Sequence, residues 1–311
     1  MGYKIDKSES INTGIKRVII EQIDSSIESI NQLNGNEHDV IHDIRKRGKK
    51  IRGALRFVRD ALGKKRYQKE NAFFRDLTGE LSDLRDATSM ISAVEALHPG
   101  NERESNSKAH FIALFTRKRS KLFEEHYSPE KLLDIRKQLI EAKERYIYMK
   151  MPAHGFEDIE KSIKRVYKRG YKAFDQAYEE PTVEGFHEWR KRVKYLWYHY
   201  RLLKTIWPGI FKAYASESKL LSDYLGDDHD YAVLLENLKN GYVEDFQQEQ
   251  AEDILNMAQN QKKKLLKEAF PLGEKIYASK TKTFVHHIHQ LWEVWSDQAL
   301  KKKINIPQMI Q

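Results

Sequence analysis

The chain has 311 residues, no cysteine, 15 glycines and 7 prolines, with 40 % hydrophobic and 11 % aromatic side chains. Such a chain folds around one large or two ordinary cores, and it excludes disulfide frameworks, thiolate zinc sites and cysteine nucleophiles. Formal charge is +9, from 55 basic and 46 acidic residues, so its meaning depends on how the excess is distributed.

The opening MGYKIDKSESI has no apolar signal core, and Asp6 stands where a myristoylation motif needs Ser or Thr. No apolar run approaches the roughly 20 residues of a membrane span. The expectation is a cytoplasmic protein with no membrane partner. Helical apolar spacing then runs almost throughout and no period-two strand is found, so the fold class is all-α. Breaks are expected at Asn34-Gly35-Asn36, His98-Pro99-Gly100, Ser128-Pro129, Met151-Pro152, Glu180-Pro181, Pro208-Gly209 and Pro271.

The break at 151–155 divides the chain into 1–150 and 156–305, and the two stretches repeat each other. His42-Asp43-Ile44-Arg45-Lys46-Arg47 returns as His187-Glu188-Trp189-Arg190-Lys191-Arg192, a shift of 145 that also pairs Lys49 with Lys194, Ile51 with Leu196, Arg56 with Arg201 and Arg59 with Lys204. A shift of 144 pairs Leu81, Asp83 and Asp86 with Leu225, Asp227 and Asp230. Each half reads as a helical bundle made twice.

On a helix starting at His42, Arg45, Lys46, Lys49, Arg52 and Arg56 share an arc of about 120° and roughly 21 Å in length. Ile44, Ile51, Leu55 and Val58 take the opposite, core-facing side. Next in the chain, Lys161, Lys164, Arg165, Lys168, Arg169 and Lys172 recur every three or four residues with no acid among them. The second copy then sets His187, Arg190, Lys191, Lys194 and Arg201 on one arc, with Trp197 in place of Arg52, and Trp189, Leu196, Tyr200 and Leu203 on the apolar side.

Windows 42–59, 161–172 and 187–204 hold 20 basic and 2 acidic residues, leaving 35 and 44 for the rest. A solvated helix mixes its charges; these helices do not, and the halves keep one register. An extended anion bridging the arcs would remove the repulsion. Weaker basic groups lie at Arg117-Lys118-Arg119-Ser120-Lys121 and Lys262-Lys263-Lys264.

The paired H-x-x-R-K/R-x-x-K helices, each followed by an L-x-D-x-x-D-like segment, resemble the CHAD family, the conserved histidine α-helical domain. Ile163-Lys164-Arg165-Val166-Tyr167-Lys168-Arg169-Gly170 resembles that family's basic helix. The opening of the first half, Ile15-Lys16-Arg17-Val18-Ile19-Ile20-Glu21, lacks most of that stripe. The resemblance implies two four-helix bundles related by pseudo-twofold symmetry, a basic groove or pore between them, binding of inorganic polyphosphate and association with polyphosphate granules. Carried across, His42, Arg45, Lys46, Lys49, His187, Arg190, Lys191 and Lys194 would face inward, with Arg165, Lys168, Arg169 and Lys172 as a third wall.

Two rival readings remain. His42-Asp43 and Asp227-Asp228-His229-Asp230 could belong to an HD-type metal phosphohydrolase, yet Asp43 aligns with Glu188 and His229 with Arg85, unlike a duplicated metal site. The bland alternative has Asp83, Asp86, Asp227 and Asp230 capping helices or pairing with the basic arcs. Tyr167, Tyr171, Tyr195, Trp197 and Tyr198 interleave the charge as RNA stacking would use. His286 and His289, between Phe284 and Leu291, are expected at a helix interface. The sequence therefore predicts a polyphosphate-binding module with no catalytic residue, metal or cofactor.

Overall fold

Among the described residues every regular element is an α-helix. The computed structural model describes residues 2–239 and 248–301, leaving out the side chains of 82–87, 126 and 297–301. Before the 151–155 break stand α1 (Ile11–Asn31), α2 (Glu37–Phe57), α3 (Arg59–Leu62), α4 (Lys64–Gly79), α5 (Ser82–Glu95), α6 (Glu102–His126) and α7 (Pro129–Tyr148). After it stand α8 (Glu157–Glu179), α9 (Val183–Leu202), α10 (Pro208–Lys239), α11 (Gln248–Ile276) and α12 (Thr281–Lys301).

Side chains set several starts. Ser10, Asn101, Ser128 and Thr182 accept from the backbone N–H three residues on, satisfying an amide that the helix cannot. Pro129 occupies the first turn of α7, where its missing N–H matters least. The expected break at Pro271 does not occur, because α11 runs through it. Proline removes one backbone bond there. Burial on both sides holds the helix: Ala269 is inaccessible, Phe270 stacks on Trp189 and Gly273 lies against the same indole. A break not expected falls at Gly63, whose φ of +78° turns the chain from α3 into α4.

Two hydrophobic clusters form the interior. One collects apolar faces of α1, α2, α4, α7, α8, α9 and the start of α10. The other joins α5 and α6 to the end of α10 and the start of α11. Each draws on both halves of the chain. Within the first half α1 packs on α2 and α7, α2 on α4, and α5 on α6; within the second α8 packs on α9 and α12, and α10 on α9 and α11. Contacts across the halves run α2 to α9, α3 to α8, α5 to α10 and α6 to α11. The N-terminal arm closes over this frame: Ile5 N–H donates to Leu202 O at 2.9 Å, and Tyr3 Oη donates to Lys50 O at 2.9 Å.

His199 lies in the core against the edge of Phe57, with no hydrogen-bond partner for either ring nitrogen. Burial, with Arg56 nearby, holds its pKa down to about 3. In the unfolded chain the same imidazole titrates near its ordinary value of 6.5. Below that pH the unfolded state takes a proton that the folded state refuses. Stability from this residue is therefore complete above about pH 6.5 and falls by about 1.4 kcal/mol per pH unit toward pH 3. Urea melts of the parent and His199→Leu at pH 7 and pH 5 test this. The variant should show the shallower acid loss, by about one proton; equal slopes would place the acid sensitivity elsewhere.

Candidate functional site

The apolar sides of the repeated helices are where their periodicity puts them: Ile44, Ile51, Leu55, Val58, Trp189, Leu196, Tyr200 and Leu203 are all buried. The basic sides are thereby turned outward from the core, and α2 and α9 bring them together by crossing antiparallel. A Cβ added at Gly53 would stand 2.8 Å from Tyr198 Cγ, so the backbones meet there. On one side of this crossing the Arg56 guanidinium lies 3.4 Å from the Tyr195 ring centre, and on the other Lys50 feels the charge of Arg201.

Beside the crossing is a cavity of about 300 Å³ lined by Lys49, Arg52 and Arg56 from α2 and by His187, Arg190, Lys191, Lys194, Tyr195 and Tyr198 from α9. His229 of α10 completes it, 4.6 Å ring to ring from His187. Arg56 and Tyr195 also wall a narrow crevice whose other cations are Arg59, Arg165, Arg169 and Arg192. Cavity and crevice share Arg56 and Tyr195 as a common wall; taken together as the groove they present ten cationic side chains, and among the described residues no carboxylate lines either.

The acids nearby act from behind. Glu188 binds Arg192 and Lys191 on its own helix and reaches Arg169 of α8 at 3.8 Å. Burial works to raise its carboxyl, but Arg192 and Lys191 outweigh that and hold its pKa below the usual range. Asp60 holds Arg165 at 2.7 Å and accepts from Ser162 at 3.0 Å, pinning α3 to α8.

Despite these pairs, the cations of the groove press on one another. Burial lowers the pKa of Arg52, with Arg56 and Arg75 adding to it; burial lowers that of Arg169, with Arg192 and Arg59 adding. His187 is lowered by burial and then by Arg190 and Lys191. Like charges that depress each other's protonation carry an energetic penalty that an anion relieves.

Not every expected residue reaches the groove. His42 and Lys46 are exposed and off its lining, while Arg45 donates to Thr78 O at 2.6 Å at the end of α4. Arg190, its counterpart, stays in the groove by lying along Gly226, where no side chain intervenes. Lys164, Lys168 and Lys172 form an exposed stripe on α8, and only Arg165 and Arg169 of that expected wall, themselves exposed, line the crevice. Arg201 lines a different cavity, of about 670 Å³, with Lys4, Lys204, Lys212, Lys219 and Trp197. The periodicity missed Arg59 and Arg192, which sit just off the arcs, and Tyr195, Tyr198 and His229.

Asp227, Asp228 and Asp230 lie inside α10, so they cap nothing. Burial raises the Asp227 carboxyl, with Asp230 adding, while Arg190 acts to lower it. Asp228 is buried against Lys262 at 2.8 Å, which occupies one cation of that weaker basic group. The expectation for the Asp83 and Asp86 side chains falls outside the described residues. Among the described residues no group of three or more His, Asp or Glu could hold a metal ion. His289 stacks on Phe156 at 4.5 Å, the interface position expected of it, and His286 is exposed. No helix among the described residues is long and apolar enough to cross a membrane.

Fold and site define an all-α protein with a strongly cationic groove at the crossing of two like helices. The family model of the CHAD domain matches residues 21–239, and the chain belongs to that family. The matched span contains every residue lining the groove and stops before α11. No curated protein matches the chain.

Proposed function

We propose that the groove binds inorganic polyphosphate and that the protein is a non-catalytic binding module. It would act in the cytoplasm, at polyphosphate granules. The carrying observation is the convergence of ten cations from α2, α3, α8 and α9 on a groove with no lining carboxylate among the described residues. An elongated row of guanidinium and ammonium groups suits a chain of phosphates, each offering oxygens to a planar fork or a point charge.

We further read the stretches 1–150 and 156–305 as two bundle halves related by a pseudo-twofold axis. The axis would pass through the crossing of α2 and α9, since Gly53 meets Tyr198 at the sequence shift of 145. The matching neighbour sets of α1, α2, α7 and of α8, α9, α12 support the same reading. It leaves the seven helices of the first half against five in the second among the described residues, with α3, α4 and α5 answering to the single long α10.

Polyphosphate is favoured over RNA by the state of the aromatics. Tyr195 has Arg56 over one face and Arg192 at 5.6 Å, and Tyr198 is 6 % exposed. Neither ring is open to a base, whereas single-strand RNA binders offer free aromatic faces. The test is competition among polyphosphate, RNA and heparin at several salt concentrations, with free orthophosphate assayed in the same tubes. Polyphosphate should displace RNA, RNA should not displace polyphosphate, and affinity should fall steeply with salt. Metal-dependent release of orthophosphate, lost in Asp230→Ala, would replace this reading with a hydrolase.

The pH dependence follows from His187. In the free protein its pKa lies below 6.5, by burial and by Arg190 and Lys191. Bound phosphate oxygens raise it, so the complex takes up a proton that the free groove lacks. Affinity should therefore rise as pH falls through the bound pKa and level off below the free one, by up to about tenfold. His187→Gln should remove this rise between pH 7.5 and 5.5, and His42→Gln, off the groove, should leave it. The opposite pattern would move the titrating group to His42.

A further inference from the structure

A second concentration of cations lines a cavity that shares no residue with the groove. The chain turns at Gly63, and the first turns of α4 present Lys64, Lys65, Arg66 and Lys69 to a cavity of about 1050 Å³. Its other wall comes from some eighty residues later in the sequence, where Arg145, Tyr148, Met149 and Lys150 follow at the end of α7. Arg66 ties the walls together by donating to Lys150 O at 2.8 Å.

The one lining acid is unavailable to these cations. Glu70 is 3 % exposed and sits under the floor, held by Arg145 at 3.1 Å and by the hydroxyl of Tyr146 at 3.0 Å. With Glu70 and Arg145 cancelling, five cations face one concave surface: Lys64, Lys65, Arg66, Lys69 and Lys150. Three of them stand in the first turn of a helix, where the macrodipole disfavours positive charge, and that turn holds no acid. Ordinary solvated lysines spread over convex surface. Here two distant segments focus them into a bowl of small-molecule size.

We propose that this bowl is a second anion site, separate from the groove, that takes a compact oligophosphate of about three phosphates. Its five cations match the charge of a triphosphate. A long chain would need an exit track, and the lining between the two cationic walls is instead apolar Leu62 and Met149 with the buried Glu70 neutralised by Arg145. Tyr148, 84 % exposed at the rim, offers an open ring face to the base of a nucleoside triphosphate. The shared chemistry is the triphosphate, free or carrying a nucleoside, and the site stands whether or not the groove binds polyphosphate.

Calorimetric titration with inorganic tripolyphosphate and with ATP tests it on the parent and on two triple variants. One removes the bowl (Lys64→Gln, Lys65→Gln, Lys69→Gln) and the other the groove (Arg190→Gln, Lys191→Gln, Lys194→Gln). The groove variant should keep one triphosphate per chain at unchanged affinity, and the bowl variant should lose that event by about 30-fold or more. Tyr148→Ala should weaken ATP alone if the nucleoside form is the ligand, and neither ligand if the free form is. The proposal is overturned if the groove variant loses all triphosphate binding or if the bowl variant binds as the parent does. Loss of long-chain polyphosphate binding in the groove variant alone reports on the groove and leaves the bowl result separate.

Discussion

Replacing Lys49, Arg52 and Arg56 by Gln in one variant, and Arg190, Lys191 and Lys194 in another, should each weaken long-chain polyphosphate binding by about 10²- to 10³-fold. A loss of that size is about 2.7–4.1 kcal/mol, or about 0.9–1.4 kcal/mol for each of three contacts partly screened by solvent. All six side chains line one cavity, so a phosphate chain held by one set is presented to the other. Either variant should also flatten the salt dependence, lowering the log–log slope by about two to three. Stability should change little, because relief of the Arg52–Arg56 repulsion offsets the lost Arg56 stack on Tyr195 or Lys191–Glu188 pair, and none of the six belongs to the apolar faces. Filter binding at four salt concentrations, with thermal melts alongside, reads all three quantities. Half the stoichiometry at undiminished affinity would mean two independent sites and end the shared-groove mechanism.

The second large effect is expected at Gly53. A methyl group there would lie 2.8 Å from Tyr198 Cγ, 2.9 Å from its Cβ and 2.8 Å from Tyr3 Oη. Tyr3 and Tyr198 are 8 % and 6 % exposed, so neither ring has anywhere to go. In an exposed helix Gly→Ala gains up to about 1 kcal/mol. At Gly53 overpacking should reverse the sign, with about 1–3 kcal/mol lost for Ala and more for Leu. Gly209→Ala, in open space at the start of α10, is the control and should gain slightly. Because Gly53 is where α2 and α9 touch, Gly53→Leu should also part the two basic arcs and weaken polyphosphate binding without altering a single charge. A Leu variant as stable as the parent would mean that the crossing is not tightly packed.

The faces of the helices were legible because they obey a period. Ile44, Ile51, Leu55 and Val58 had to be buried once their spacing made one stripe, and the same holds for Trp189, Leu196, Tyr200 and Leu203. Neighbours are not periodic, and there the reading stopped. Arg45 shares the arc of Lys49, but the end of α4 offers it the Thr78 carbonyl. Arg192 lies off the arc of Arg190, yet enters the crevice because α8 packs on that side of α9 and Glu188 holds its guanidinium. On α8 the six cations were indistinguishable as a pattern; Arg165 and Arg169 are the two that meet acids of α3 and α9, which hold them along the crevice. The helix runs through Pro271 for the same reason, since local propensity cannot see Trp189 stacked on the neighbouring Phe270.

The docking of the N-terminal arm has a consequence in time. Ile5 donates to Leu202 O and accepts from the Thr205 hydroxyl, partners that lie roughly 200 residues further along the chain. A ribosome adding about 5–20 residues per second leaves the arm waiting on the order of ten to forty seconds for those partners. During that interval α2 can pair with α1 and α4 but not with α9, and the ring of Tyr3 has no Tyr198 to rest on. The arm is thus fixed only after α9 has been made, and the groove, which needs α2 and α9 together, forms no earlier.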